Sequence, residues 1–184
     1  MLVFKNGKCF TTIPWFWVPE DGARKRGLKD RVPYPTWIRQ GFCEATPGNV
    51  VCYDTLRHRI NELGKLFNIR EIATDRWNAT QLRTQLVGDG FNVTDFGQGF
   101  KSMMGPSREL EKLVMSGALT HGNNPVLRWN ASNVTAKSDP AGNLKPDKQK
   151  STDRIDGIVA LIMALGQALV STTSVYNTRG LRYL

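Results

Sequence analysis

The fold is decided by the stretch REIATD (residues 70–75), whose apolar centre predicts a buried strand that ends in a carboxylate. A second stretch, DRIDGIVAL (residues 153–161), predicts the start of an apolar helix that carries another carboxylate. An ionised acid is costly to bury alone, so an acid on an apolar face favours a cation as its partner. Asp75 and Asp156 therefore indicate a site that can hold Mg²⁺ against a phosphate.

Each of these two acids also has a plain structural interpretation. Asp156 shares its helix face with apolar Ala160 and Met163, so we expect it to point toward protein or a cleft and not into open water. The alternative is a carboxylate near a helix start that is stabilised by the helix dipole. Asp75 can be a ligand beyond the carboxyl end of a parallel strand, or simply a turn or cap residue. The residues alone leave both alternatives open.

The composition limits the class of protein. A chain of 184 residues, 40% of them hydrophobic, can build one ordinary core. Its three cysteines form no CxxC pair, and their odd number argues against a disulfide framework and favours a cytoplasmic setting. The sequence contains no apolar run near the roughly 20 residues that span a bilayer, so we expect no membrane contact. The formal net charge of +9 favours a polyanionic partner.

The remaining sequence predicts strands that alternate with helices, and hence a mixed α/β sheet flanked by helices. Residues 171–184 predict a flexible tail. The predicted elements are a hairpin at Asn6-Gly7, a charged Pro-rich surface loop over residues 19–36, a helix over 54–67, the strand ending at Asp75, a helix over 79–87, a strand over 91–96, a helix over 106–116, either helix or strand over 125–136, a hairpin over 137–148 and a helix over 152–170.

Basic residues gather on the approach to Asp156. A set of cations beside a metal site can hold a phosphodiester backbone without reading its bases. The alternative is an ordinary solvated charged face. The candidates for contacts with DNA are Lys101, Lys148, Lys150 and Arg154.

Other chemistry finds little support in the sequence. There is no phosphate loop of the Gly-x-x-x-x-Gly-Lys type and no Gly-x-Ser-x-Gly elbow. With two histidines, a His-rich metal site is excluded.

Taken together, several motifs resemble the C-terminal nuclease domain of the large terminase subunit of tailed phages. The resemblance runs in order from about residue 15 to residue 168. The matching segments are WVPED (17–21), RVPY (31–34), ATPGNV (45–50), DRWNATQL (75–82), GQGFK (97–101), GNNPVLRW (122–129), KPDK (145–148) and DRIDGIVAL (153–161).

This resemblance implies an RNase H-like nuclease domain over residues 1–170 that cuts concatemeric double-stranded DNA with Mg²⁺ or Mn²⁺. By position, Asp75 matches the second acid of the family and Asp156 the third. The resemblance also implies phage DNA packaging in the cytoplasm of the bacterial host. The implied protein partners are the portal protein and the small terminase subunit.

The family's first acid lies on a strand that would precede Met1, so the chain is expected to be truncated and its sheet to lack the first central strand. We then expect weak or absent nuclease activity, and a gap filled by a second copy through the exposed sheet edge, by rearranged strands, or not at all. The rival interpretation is a non-catalytic remnant that binds DNA or docks on the portal. A Holliday-junction resolvase would share the chemistry but not the long ordered match.

Overall fold

A computed structural model describes residues 1–30, 32–76 and 79–170 of the chain. The predicted tail over residues 171–184 lies outside these ranges. The helices are α1 (Glu20–Asp30), α2 (Tyr34–Arg39), α3 (Tyr53–Leu66), α4 (Thr80–Gly88), α5 (Phe100–Met115), α6 (Pro125–Asn133) and α7 (Asp156–Val170). The strands are β1 (Leu2–Asn6), β2 (Cys9–Ile13), β3 (Trp17–Pro19), β4 (Glu44–Thr46), β5 (Ile72–Asp75), β6 (Val93–Phe96), β7 (Leu119–Thr120), β8 (Ala136–Ser138) and β9 (Leu144–Pro146).

The strands form small sheets of both polarities, which confirms the predicted mixed α/β class. In the described ranges, β1 pairs antiparallel with β2, and β2 pairs in parallel with the short β7. β5 and β6 form a parallel pair, as do β3 and β4. The β8–β9 hairpin is antiparallel, as predicted. The turn between β1 and β2 is also as predicted, and Gly7 adopts a φ of 60° there, which a side chain would disfavour.

Helix α7 forms the centre of the main hydrophobic core. It packs against α5, α6, β1 and β5. Leu165 is fully buried, and Leu161 and Ile162 are nearly so. A Cβ at Gly166 would lie 2.7 Å from the Phe96 ring, so glycine here allows α7 to approach β6 closely. Within the described ranges, no helix combines the length and apolarity that a membrane crossing needs.

The prediction of a surface loop over residues 19–36 is wrong, because α1 and the start of α2 occupy most of it. The reason is tertiary burial that local composition does not reveal. Tyr34 and Trp37 are buried in α2, and both rings contact Trp129 of α6, at centroid distances of 6.0 and 5.6 Å. Such aromatic contacts bury a large apolar area and outweigh the charged, Pro-rich character of the segment.

Two helix starts differ from the sequence prediction. Helix α5 begins at Phe100 and includes Pro106, which is buried inside the helix and was expected to begin it. Helix α7 begins at Asp156, although the pattern predicted a start at Thr152. The segment left open between helix and strand is helix α6, whose first turn is capped by the Asn124 side chain, accepting from the Val126 and Leu127 amides at 3.0 Å each.

A groove of about 780 Å³ separates the two sheets that flank α7. β1 and β5 line its sides, while α3 and α7 contribute apolar residues. Within the described ranges, β1 pairs only with β2 and β5 only with β6, so both strands turn an edge toward this groove. The expected sheet is therefore present as separate pieces around α7. We call this cavity the strand groove.

An ionic contact fastens α3 to the end of α4. Arg57 Nε and Asn61 Nδ2 each donate to Asp89 Oδ2 at 2.7 Å, and the second arm of the Arg57 guanidinium bonds Asp89 Oδ1. These hydrogen bonds, from Arg57 first and Asn61 second, lower the pKa of the Asp89 carboxyl from 3.8 to about 2.

This contact predicts a defined acid sensitivity. Because the folded pKa of Asp89 is the lower one, its contribution to stability is complete above about pH 4 and is lost as the pH falls toward 2. Urea unfolding of the wild type and Asp89→Asn should therefore show a stability difference that is constant near neutral pH and shrinks between pH 4 and 2. A difference that does not change with pH would contradict this assignment.

Candidate metal centre

Asp75 is the last residue of β5 and is half-buried. β5 pairs in parallel with β6, and Asp75 lies opposite Phe96 in the register. Ligands of α/β proteins commonly bind beyond the carboxyl ends of parallel strands. The position of Asp75 is therefore the one expected for a ligand.

Asp156 is the first residue of α7, between buried Ile155 and buried Gly157. Its own side chain is 69% exposed. The expectation that this side chain points toward protein or a cleft is therefore wrong. The cause is the later helix start: at the first position of α7 the carboxylate lies on an open turn, where it keeps most of its hydration.

The two acids lie on elements that pack against each other. Asp156 shares a helix face with Ala160, one turn along α7. Ala160 lines the strand groove together with Thr74, the residue before Asp75. Helix α7 also packs directly against β5. Across the described residues, no cluster of three or more His, Cys, Asp or Glu side chains is arranged to hold a metal. A metal centre built from Asp75 and Asp156 therefore stays a prediction that rests on the positions of these two acids.

Helix α6 holds the backbone beside Asp156 in place. The side chain of Asn130 is buried, and its Oδ1 accepts the Gly157 N–H at 2.8 Å. Its Nδ2 donates to the Val126 carbonyl at 3.0 Å, which fixes the orientation of the amide. A Cβ at Gly157 would lie 2.8 Å from the Phe16 ring, so the start of α7 is also closely packed. Asn130 therefore positions the turn that carries Asp156.

Sequence reasoning did not identify Asn130, because the segment 125–136 fitted both helix and strand. A usable signal was present. Asn130 follows Val126 and Leu127 at helical spacing, and so shares their face, which the structure buries. A polar residue on such a face needs hydrogen-bond partners inside the protein.

The structure brings one predicted cation to the candidate centre. Lys148 Nζ lies 3.6 Å from Asp156 Oδ1, and the Lys148 side chain is 49% exposed. Arg154 is exposed and lies two residues before Asp156. Lys150 and Lys101 are exposed as well, the latter in the first turn of α5. The geometry thus connects Lys148 to an acid and leaves the other three on the surface.

The family of the chain follows from comparison with known proteins. The family model for the terminase large subunit, endonuclease domain, matches residues 3–172. The chain belongs to this family. The large terminase subunit of Enterobacteria phage HK97 is 41% identical over 159 residues, covering 85% of the chain and 31% of that protein. The protein YmfN of Escherichia coli strain K12 is 30% identical over 167 residues, covering 88% of the chain and 37% of that protein.

Solved structures agree with this family membership. The crystal structure of the HK97 large terminase matches with a TM-score of 0.82 and 38% identity, over 89% of the chain and 34% of that structure. The large terminase nuclease of thermophilic phage G20c matches with a TM-score of 0.52 and 17% identity, over 65% of the chain and 64% of that structure, and so shows a shared fold. The predicted family and its RNase H-like fold are confirmed. The chain spans about a third of the length of its curated relatives.

The role of Asn130 can be tested by its removal. Asn130→Ala leaves the buried Gly157 N–H without its acceptor, which should cost about 1–3 kcal/mol in the free energy of unfolding. The matched control is Asn133→Ala on the same helix, whose bond to the Arg154 carbonyl faces solvent and should matter less. Urea denaturation of both variants measures this, and equal losses would argue against a special role for Asn130.

Proposed function

We propose that the chain acts as a metal-dependent endonuclease on double-stranded DNA, with Asp75 and Asp156 as ligands of Mg²⁺ or Mn²⁺. One observation carries the proposal. Within a terminase endonuclease domain, one acid ends a parallel strand and the other begins the helix that packs on that strand. The substrate would be concatemeric phage DNA, cut during packaging in the cytoplasm of the bacterial host.

The donor atoms fit a hard divalent cation. Mg²⁺ prefers carboxylate oxygens and commonly keeps several water ligands, so two acids and an open first turn suit it. Asp156 already has the Lys148 ammonium as a neighbour, which shows that a cation can approach this carboxylate. A bound divalent ion would lower the pKa of the attacking water and stabilise the leaving oxygen.

The residues of the chain itself would hold and orient the DNA. Asn130 keeps the turn with Asp156 in place through the Gly157 amide. Lys148 and Arg154 lie near Asp156 in space or in sequence and would grip phosphates on either side of the cut. Lys101 and Lys150 would extend this contact along the backbone. Such contacts position DNA without reading its sequence.

We propose that cleavage by this chain alone is slow, because two carboxylates bind Mg²⁺ less tightly than a larger oxygen shell. The portal protein and the small terminase subunit are the proposed partners in packaging, by membership of the family. The strand groove also offers a surface on which a second copy could associate.

Metal binding and cleavage test the two acids directly. Calorimetric titration with Mn²⁺ should detect binding by the wild type. Asp75→Asn and Asp156→Asn should each lower the Mn²⁺ affinity by about tenfold or more, since each removes a charged ligand. The same variants should abolish the slow nicking of supercoiled plasmid. Asp153→Asn is the matched control, because Asp153 bonds the neighbouring Arg154 amide and should be silent in both assays. A Mn²⁺ heat that survives in both acid variants would refute the proposal.

A second candidate function rests on the contact between Lys148 and Asp156. This ion pair neutralises the acid without a metal, as would suit a non-catalytic module that binds DNA or docks on the portal. Such a module would bind DNA yet show no Mn²⁺ heat that depends on Asp75. The calorimetric experiment therefore separates the two functions.

If Lys148 competes with the metal, its removal should have opposite effects on two ligands. Lys148→Gln frees Asp156 from an exposed ion pair worth about 0–1 kcal/mol, so Mn²⁺ affinity should rise by up to about fivefold. The affinity for duplex DNA should fall, because a phosphate contact is lost. Calorimetry and fluorescence anisotropy measure the two effects, and Lys65→Gln, at an exposed position of α3, is the control. A fall in both affinities would indicate a structural role instead.

A further inference from the structure

A second cavity lies at the β8–β9 hairpin, apart from the strand groove. Its volume is about 200 Å³, small enough to enclose one compact polar group. Three lysines line it, Lys137, Lys145 and Lys148, together with Gln98 and Gln149. We call this cavity the hairpin pocket.

The register of the hairpin places two of these lysines against each other. Lys137 of β8 is the direct partner of Lys145 of β9. Directly opposed residues of an antiparallel pair project from the same face, and like charges in such a pair are destabilising. An anion between the two ammonium groups would convert this repulsion into attraction. The hairpin is therefore arranged for a negatively charged ligand.

Lys145 is already held in position for such a ligand. Its Nζ donates to the Gln98 carbonyl at 2.8 Å and lies 5.5 Å from the centre of the Phe100 ring. An ammonium group carries three donors, and the bond to Gln98 uses one of them. A side chain that is fixed before binding loses less conformational entropy when the ligand arrives.

One acid lies in the same pocket and opposes an anion. Asp147 is buried, and its Oδ1 accepts the Gln149 N–H at 3.0 Å, which ties it to the turn after β9. Three lysines and Asp147 line the pocket, and the balance stays positive even when Asp156 beside Lys148 is counted as well. Asp147 therefore lowers the affinity of the pocket for an anion, and removing its charge should raise that affinity.

We infer that the hairpin pocket binds a DNA backbone phosphate next to the one at the candidate metal centre. Lys148 joins the two places, since it lines the pocket and also lies 3.6 Å from Asp156 Oδ1. A phosphate held by Lys137 and Lys145 would fix where the duplex sits relative to the two acids. The assignment of the anion to DNA rests on the proposed function.

The test measures the equilibrium binding of a short DNA duplex by fluorescence anisotropy. The measurement is repeated over a range of salt concentrations, with a chelator present. The logarithm of the association constant for DNA falls linearly with the logarithm of the salt concentration. The double variant Lys137→Gln/Lys145→Gln should make this slope less steep by about 0.9, the value for one phosphate. At 0.1 M salt this corresponds to about eightfold weaker binding. Asp147→Asn should bind more tightly than the wild type.

The control variant Lys8→Gln/Lys65→Gln removes the same charge from exposed positions on a different hairpin and on α3. If both double variants weaken binding equally, net charge explains the result and the pocket assignment fails. The Lys137→Gln change should not unfold the hairpin, because it relieves a repulsion, and a circular dichroism melt confirms this.

Two further outcomes separate the inferences from each other. The measurement of DNA binding contains a chelator and so does not depend on metal. If separate experiments find no Mn²⁺ binding and no cleavage, the proposed function is refuted, while the salt dependence of DNA binding can still support the pocket. Inorganic phosphate serves as a second probe. A phosphate heat that the Lys137→Gln/Lys145→Gln variant loses, together with unchanged DNA binding, would assign the pocket to free phosphate and overturn the DNA assignment.

Discussion

The structure depends above all on the burial of α7 between the sheets and the helices α5 and α6. This helix carries its one acid at its first residue and apolar or small residues along most of the rest, so it is stable only when covered on several sides. Leu165 has no exposed surface, and Gly166 lets the Phe96 ring approach closely. Both candidate acids are positioned by this packing, because β5 lies against the same helix.

The same packing explains why Asp156 can remain exposed without loss of precision. Core contacts anchor the helix, and Asn130 and Phe16 fix the backbone of its first turn, so the position of Asp156 in the fold is held while its carboxylate stays exposed. An exposed carboxylate avoids most of the desolvation cost that a buried one carries. It also lies where a large, stiff polymer such as duplex DNA can reach it. A site of this kind trades metal affinity for access.

Periodic elements could be predicted from the sequence, whereas long-range burial could not. The α3 helix, the β5 strand and the β8–β9 hairpin follow from local spacing and turn residues. Helix α2 was missed because its Tyr34 and Trp37 pack on the distant Trp129, and helix α1 packs in turn on α2. At the site, Asp75 and Asp156 could be chosen as candidates from the sequence. The exposure of Asp156 depends on where helix α7 starts, and the pairing of Lys137 with Lys145 depends on the strand register, so neither could be predicted.

If the proposed function holds, the position of Lys148 would link the metal and the DNA in one electrostatic balance. One ammonium group cannot neutralise Asp156 and a backbone phosphate at full strength at the same time. When a phosphate draws Lys148 toward the hairpin pocket, Asp156 regains its full charge and attracts a divalent ion more strongly. By thermodynamic reciprocity, a bound ion that displaces Lys148 must favour phosphate binding to the same degree. Asp156 and Lys148, which form an exposed ion pair in the free protein, would then make the binding of DNA and of metal cooperative.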